Sequence, residues 1–321
     1  MNATVLRRKK EKPSQRLPYN KTNIFKRFWK TRFLFVLFLP ALVYYIMFKY
    51  VPMWGVSIAF YKYSVYKGLA GSKFIGLQNF KTFFSSPDWW QYTKNTFALG
   101  LLGLTCGFPL TILFSLLLNE VRGARFKKIT QTVSYLPHFL STVIVVNLFK
   151  AMCDPTSGII NEIISALGGS PIYFFTEVKW FRALYEITGI WSGLGWSTIV
   201  YLAAISAVDP GLYEAARLDG AGRWRQMWYI TLPSIMPTVS TMLIMKIGNI
   251  LGDSMEKVLL MQHPITYKHS MTLSTFVYQV GLGQAKYDYS TAISLVTSLV
   301  NLVFLFGANW ASKKLTENSI F

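Results

Sequence analysis

The chain reads as an all-α polytopic membrane protein with six transmembrane helices. Its 321 residues are 52% hydrophobic and only 15% charged, with a mean hydropathy of +0.33, a balance outside the soluble globular range. Apolar runs of about 20 residues recur along it, each enough to cross a ~30 Å hydrocarbon core. The basic residues gather on one set of alternate connections, as they do in membrane proteins of fixed orientation.

The runs fall near 33–60, 96–118, 129–149, 187–207, 234–253 and 290–311. They divide the chain into a basic head (1–32), a first span with an outer interfacial segment (33–90), a transmembrane core (91–311) and a tail (312–321). Residues 1–32 hold eleven Lys or Arg, and the short 119–128 connection adds Arg122, Arg125, Lys127 and Lys128. Arg217, Arg223 and Arg225 follow the fourth run, and Lys313 and Lys314 lie in the tail. The opposite connections are longer in sum yet poorer in basic residues. The excess marks the cytoplasmic side, so both termini are expected there and the span number is even. The net charge of +19 is therefore a topology signal with attraction to anionic membrane lipid, and nucleic acid is not an expected partner. The first apolar run lacks a small-residue cleavage site and is expected to be retained.

The first run is long, with Pro40 and Pro52 in or near it. The outer segment 61–95 is rich in aromatics, among them Tyr61, Tyr66, Phe74, Trp89 and Trp90. These fit an interfacial belt on a segment lying along the membrane; sugar stacking at a pathway entrance is the alternative. The second run carries Gly100, Gly103 and Gly107, which allow close helix approach, and Pro109, which invites a kink. The third opens at Tyr135-Leu-Pro-His138, where His138 suits a hydrogen-bonded structural role. The loop 150–186 suggests short helices and turns. The fourth run, 187–208, has no charge and mixes Gly189, Gly193, Gly195, Ser192, Ser197 and Thr198 with Trp191, Trp196 and Tyr201. Such a helix packs against neighbours or lines a polar pathway, and both readings stay open. Lys246 stands alone as a charge clearly inside a run.

Several chemistries lack their residues. The chain has no GxxxxGK[ST] loop for ATP, and its three His assemble no nucleophile, base and orienter. Cys106 and Cys153 have no paired spacing. No metal, no cofactor and no catalytic residue is expected; the chain is not expected to be an enzyme.

Asp209-Pro210 after the fourth run is a strong helix start, the carboxylate accepting free backbone N–H groups and Pro losing no intrahelical bond. Leu212 to Asp219 then make about two turns, and Gly220 stands where a left-handed stop is wanted. A second short helix follows through Trp224 and Trp228, and Pro233 and Pro237 open the fifth span. Taken singly, Glu214 with Arg217 reads as an exposed ion pair, and Ala215 and Ala216 as good helix formers.

Taken together, Glu214-Ala215-Ala216, three residues, Gly220, nine residues, then Ile230-x-Leu232-Pro233 closely resembles the EAA loop of permease subunits of binding-protein-dependent ABC importers. Leu116-Leu-Leu-Asn-Glu-Val-Arg122, Tyr135-Leu-Pro-His-Phe139, Val258-Leu-Leu, Val277-Tyr-x-Val-Gly281 and Tyr289-Ser-x-Ala292 resemble its oligosaccharide-uptake branch, and within it the LplB-type and rhamnogalacturonan permeases. The likeness covers residues 30–315. It departs at Gly252-Asp-Ser-Met-Glu256, where the family favours a glycine-aromatic pair before the Glu.

The resemblance implies a type I, maltose-permease-like fold in the bacterial cytoplasmic membrane. It implies a second homologous permease, two ATP-binding subunits and an extracellular solute-binding lipoprotein as partners. Glu214, Ala215, Ala216, Arg217, Asp219 and Gly220 would form the helix that couples to the ATPase. The pathway candidates are Trp191, Trp196, Tyr201, Lys246 and Asn249, with Lys246 suited to an acidic sugar. The competing readings are an ion-gradient-driven secondary transporter, which wants several charges deep in spans, and a membrane anchor that transports nothing.

Overall fold

A computed structural model describes residues 31–316; all but the end of the basic head, and residues 317–321 of the tail, lie outside the described residues. The chain divides into two compact units between Gly55 and Val56. Among the described residues five helices are long and apolar enough to cross a membrane, and a sixth crossing follows if one bent pair counts as a single span.

The first unit holds α1, Arg32–Tyr45, carried on by a π turn, Ile46–Tyr50. The second opens with a feature the all-α expectation omits, a two-stranded antiparallel hairpin of β1 (Tyr61–Lys62) and β2 (Lys73–Phe74). Tyr61 and Phe74 face each other across it with ring centroids 5.2 Å apart. A short helix, α2, Gln78–Ser85, follows, and the Asn79 amide donates to the Ala59 carbonyl at 2.9 Å. The aromatic outer segment is thus a folded hairpin and helix.

The second span, α3, runs Trp89–Glu120 without a break. At Pro109 the helix continues, and a π turn at Gly103–Gly107 precedes the proline. The same arrangement recurs at Pro52, after the π turn Ile46–Tyr50, and at Pro233, after the π turn Met227–Thr231. Proline lacks the N–H that would bond the carbonyl four residues earlier. That carbonyl lies within the π turn each time, and the widened turn takes up the disturbance. Pro40 and Pro237 sit in regular helix.

The third span is the main correction. The structure has α4, Ala124–Tyr135, a 3-10 turn at Leu136–Phe139, and α5, Thr142–Met152, the two helices meeting at 103°. Pro137 removes a backbone donor and biases Leu136 away from α geometry. Leu140 and Ser141 are extended, and the Ser141 hydroxyl accepts the Ile144 N–H at 3.3 Å to start the next helix. The loop beyond contains α6, Ile159–Ala166.

The fourth span also differs. As α7, Val178–Ser206, it starts well before residue 187 and so includes Lys179, Arg182 and Glu186. Its Gly195 lies where an added Cβ would be 2.1 Å from the Ser134 carbonyl oxygen of α4, so only glycine permits this approach. The connection holds α8, Pro210–Leu218. The fifth span, α9, Arg223–Gly248, absorbs what the sequence reading separates as a second short helix. Beyond it lie α10 (Met255–Met261), α11 (Leu273–Tyr278) and the last span, α12 (Tyr287–Thr316). α9 packs along α12, and α7 along the second half of α3. Leu116, Tyr201, Ile205, Met227, Ile235 and Val239 form the core where α3, α7 and α9 meet near α8.

Gly195→Val should lower the melting temperature of the detergent-solubilised protein by about 3–10 °C, the scale of ~1–3 kcal/mol of overpacking. Gly193→Ala, with nothing within 4 Å of its added Cβ, should melt like the unaltered chain.

Candidate functional site

The chain presents two features of functional character, a short exposed helix on one connection and a charged cavity between three spans. α8 is built as its sequence dictates. The Asp209 carboxylate accepts the Gly211 N–H at 2.9 Å, and Pro210 occupies the first turn. At the other end Gly220 has φ +76°, the Ala221 N–H reaches the Ala216 carbonyl at 2.8 Å and the Gly220 N–H the Arg217 carbonyl at 3.1 Å. This is the paired bonding of a glycine-stopped helix end.

One side of α8 is fastened. The Tyr213 hydroxyl lies 2.9 Å from Thr231 Oγ1, and the Gln226 amide donates to the Ala221 carbonyl at 2.7 Å. Arg223 donates to the Glu120 carbonyl at 3.3 Å and its Nε lies 4.0 Å from the Glu120 carboxylate, tying α9 to the end of α3. The other side is free of the fold: Glu214, Ala215, Arg217, Asp219 and Gly220 are exposed, and Ala216 is half-buried. Leu218 is 90% exposed and Trp224 65%, an apolar surface of the kind that marks a contact face. Glu214 and Arg217 make no ion pair within 4.0 Å among the described residues.

The cavity, about 590 Å³, lies between α3, α7 and α9. Trp196, Tyr201, Lys246 and Asn249 line it, whereas Trp191 lies outside the lining, edge-on to Phe149 with centroids 5.6 Å apart. Trp196 stacks on His138 at 4.5 Å and 6° between planes, so the contact made by His138 is aromatic and pins the broken third span to the cavity wall.

Two charged residues line the cavity beside Lys246 that the sequence reading does not single out: Glu186 of α7 and Lys257 of α10. The Lys257 amine donates to the Tyr185 carbonyl at 3.0 Å and sits 3.6 Å from that ring's centroid. The Tyr185 hydroxyl accepts the Ser254 N–H at 3.0 Å, which fixes the start of α10. Burial pushes the Lys257 amine down to about 8; Glu186 pulls it up, Lys246 pushes it down and Asp253 pulls it up. The Asp253 oxygens are buried with no hydrogen-bond partner among the described residues, and Asp253 does not line the cavity.

Glycines leave the room for these charges. A Cβ on Gly107 would stand 2.7 Å from Glu186 Oε1, one on Gly189 2.8 Å from Lys257 Nζ, and one on Gly103 3.3 Å from Lys246 Nζ. Glu186 escapes hydropathy because a polar stretch masks the true start of α7, and Lys257 because it lies in an apparent loop. The signal was the spacing Glu186, Gly189, Gly193, which shares one helix face.

The family of binding-protein-dependent transport system inner membrane components matches residues 107–317. The polygalacturonan/rhamnogalacturonan transport system permease protein YteP of Bacillus subtilis (strain 168) is 46% identical over 290 residues, covering 90% of each chain. Protein LplB of the same organism is 42% identical over 292 residues, covering 91% of this chain and 92% of its own. A chain in the crystal structure of a bacterial ABC transporter involved in the import of the acidic polysaccharide alginate superposes with a TM-score of 0.83 at 37% identity, over 92% of this chain and 100% of that one.

Gly220→Val should weaken the turn after α8 by about 1–2 kcal/mol, since a left-handed residue with a Cβ is strained. Limited proteolysis should then cut faster between 217 and 225, while Gly220→Asn, whose side chain tolerates this conformation, should resist as the unaltered chain does.

Proposed function

The chain belongs to the inner membrane components of binding-protein-dependent transport systems, and from that membership we propose that it is the permease subunit of an ATP-driven importer of acidic oligosaccharides. It is a multi-pass membrane protein of the type I permease fold, and its relatives are transport subunits rather than enzymes. The observation that carries the reading is α8. It is a capped helix, stopped at Gly220 and fastened on one side only, with Glu214, Arg217, Asp219 and Leu218 turned outward.

In this reading both termini and α8 face the cytoplasm, where α8 seats in one of two ATP-binding subunits. Ala215 and Ala216 let it approach closely, and Glu214 and Asp219 meet cationic groups of the partner. A second, homologous permease completes the pathway, and an extracellular solute-binding lipoprotein delivers the sugar. ATP-driven closure of the ATPase pair rocks the bundle between two states, and the permease works by differential stabilisation of them. Trp196 and Tyr201 offer stacking faces, Asn249 a hydrogen-bonding amide and Lys246 a cation. Trp191, packed on Phe149, would reach sugar only after a rearrangement of α5. The acidic class rests on the polygalacturonan and alginate systems among the relatives together with the lysines in this cavity.

Cells expressing the importer with Glu214→Lys or Gly220→Pro should take up no oligosaccharide, although the permease still inserts in the membrane at its usual level. Uptake should also vanish with a non-hydrolysing ATPase subunit. Uptake that persists there would remove the ATP-driven reading and favour the ion-gradient one.

A further inference from the structure

The cavity carries an uneven set of charges. Lys246 and Lys257 line it against the single carboxylate of Glu186. Both lysines act electrostatically on Glu186, yet the ion pairs within 4.0 Å among the described residues are Lys179 with Glu177 and Arg223 with Glu120. Glu186 therefore holds the lysines loosely; the buried Asp253 carboxylate also acts on Lys257 from behind the wall, so Lys246 is the cation that faces the cavity.

The packing around the three groups is made for them. Without side chains on Gly103, Gly107 and Gly189, the charged heads lie directly against backbone of α3 and α7. Lys257 is anchored through the Tyr185 carbonyl and ring, whereas Lys246 is exposed to the cavity. A fixed cation, a free cation and one shared carboxylate, set within a bundle where charges are costly to keep, form a receptor for one more carboxylate. In a medium of low dielectric such a group gains far more than it would in water.

We propose that Glu186 is an internal stand-in for the carboxylate of the cargo. It keeps Lys246 and Lys257 placed while the cavity is empty and yields them to a uronate carboxylate of the passing chain. Glu186 is thus a specificity-determining residue: it competes with acidic cargo, which limits how tightly the cavity grips a polyanion that must leave again. The inference rests on the cavity being the oligosaccharide pathway.

The test uses the complete importer, with its ATPase, second permease and binding protein, in proteoliposomes supplied with ATP. The probes are trigalacturonate and its fully methyl-esterified form, which keeps the sugar rings and loses the charges. Lys246→Met and Lys257→Met should cut uptake of the acid relative to the ester roughly tenfold, the scale of one lost charge-assisted hydrogen bond. Glu186→Gln should shift the ratio the other way, and Lys246→Arg should keep it. A merely structural role would lower both probes together, so an unchanged ratio in the three charge-removing variants overturns the proposal. If the binding protein refuses the ester, the KM for trigalacturonate decides. It should rise roughly tenfold in the lysine variants and fall in Glu186→Gln, and equal values overturn the proposal. An unaltered importer that carries neither probe overturns the oligosaccharide reading itself, and this inference with it.

Discussion

A chain in hydrocarbon has no water to bond its backbone, so every interruption of its helical ladder must be answered within the protein. Most of this structure is organised by that constraint. Pro52, Pro109 and Pro233 each remove a donor, and each is preceded by a π turn that takes up the freed carbonyl without breaking the helix. At Pro137 the ladder does break. There the exposed ends are closed by a 3-10 turn and the Ser141 cap, and the turn is held by His138 stacking on Trp196.

The same constraint explains where the charges sit. A lysine or carboxylate inside a bundle is tolerated only where it faces a cavity or a partner, and the wall between α3, α7 and α9 supplies both. The π turn at Gly103–Gly107 lies on that wall, so the helix irregularity and the room for Lys246 and Glu186 occupy the same place. The wall joins the cavity to the connection that holds α8. α7 leads from Glu186 to α8, and α9 leads from Arg223 beside α8 to Lys246. A displacement of α8 therefore acts on the two helices that carry Glu186 and Lys246.

Local patterns were legible wherever one segment determines its own structure. The Asp209-Pro210 start, the two turns to Leu218 and the left-handed Gly220 follow from capping and from what glycine alone permits, and all three are present. Five of the six apolar runs became long helices because 20 apolar residues have few other ways to satisfy their backbone in a membrane. The hairpin at residues 61–74 was not legible. Its strands are two residues each and its order comes from contacts such as Asn79 to Ala59 and Tyr63 to Asp288.

By itself the sequence determined the class of the molecule, most of its apolar spans and the local shape of the connection that holds α8, since hydropathy, charge bias and helix caps act over neighbouring residues. Only the tertiary structure decided what those spans enclose. Glu186 and Lys257 are 71 positions apart in number and look like interfacial or loop residues alone; they share a cavity wall with Lys246 because Gly103 and Gly107 of α3 and Gly189 of α7 leave room for the charged heads. Such a juxtaposition depends on how helices pack across long separations, and periodicity along the chain carries no record of it.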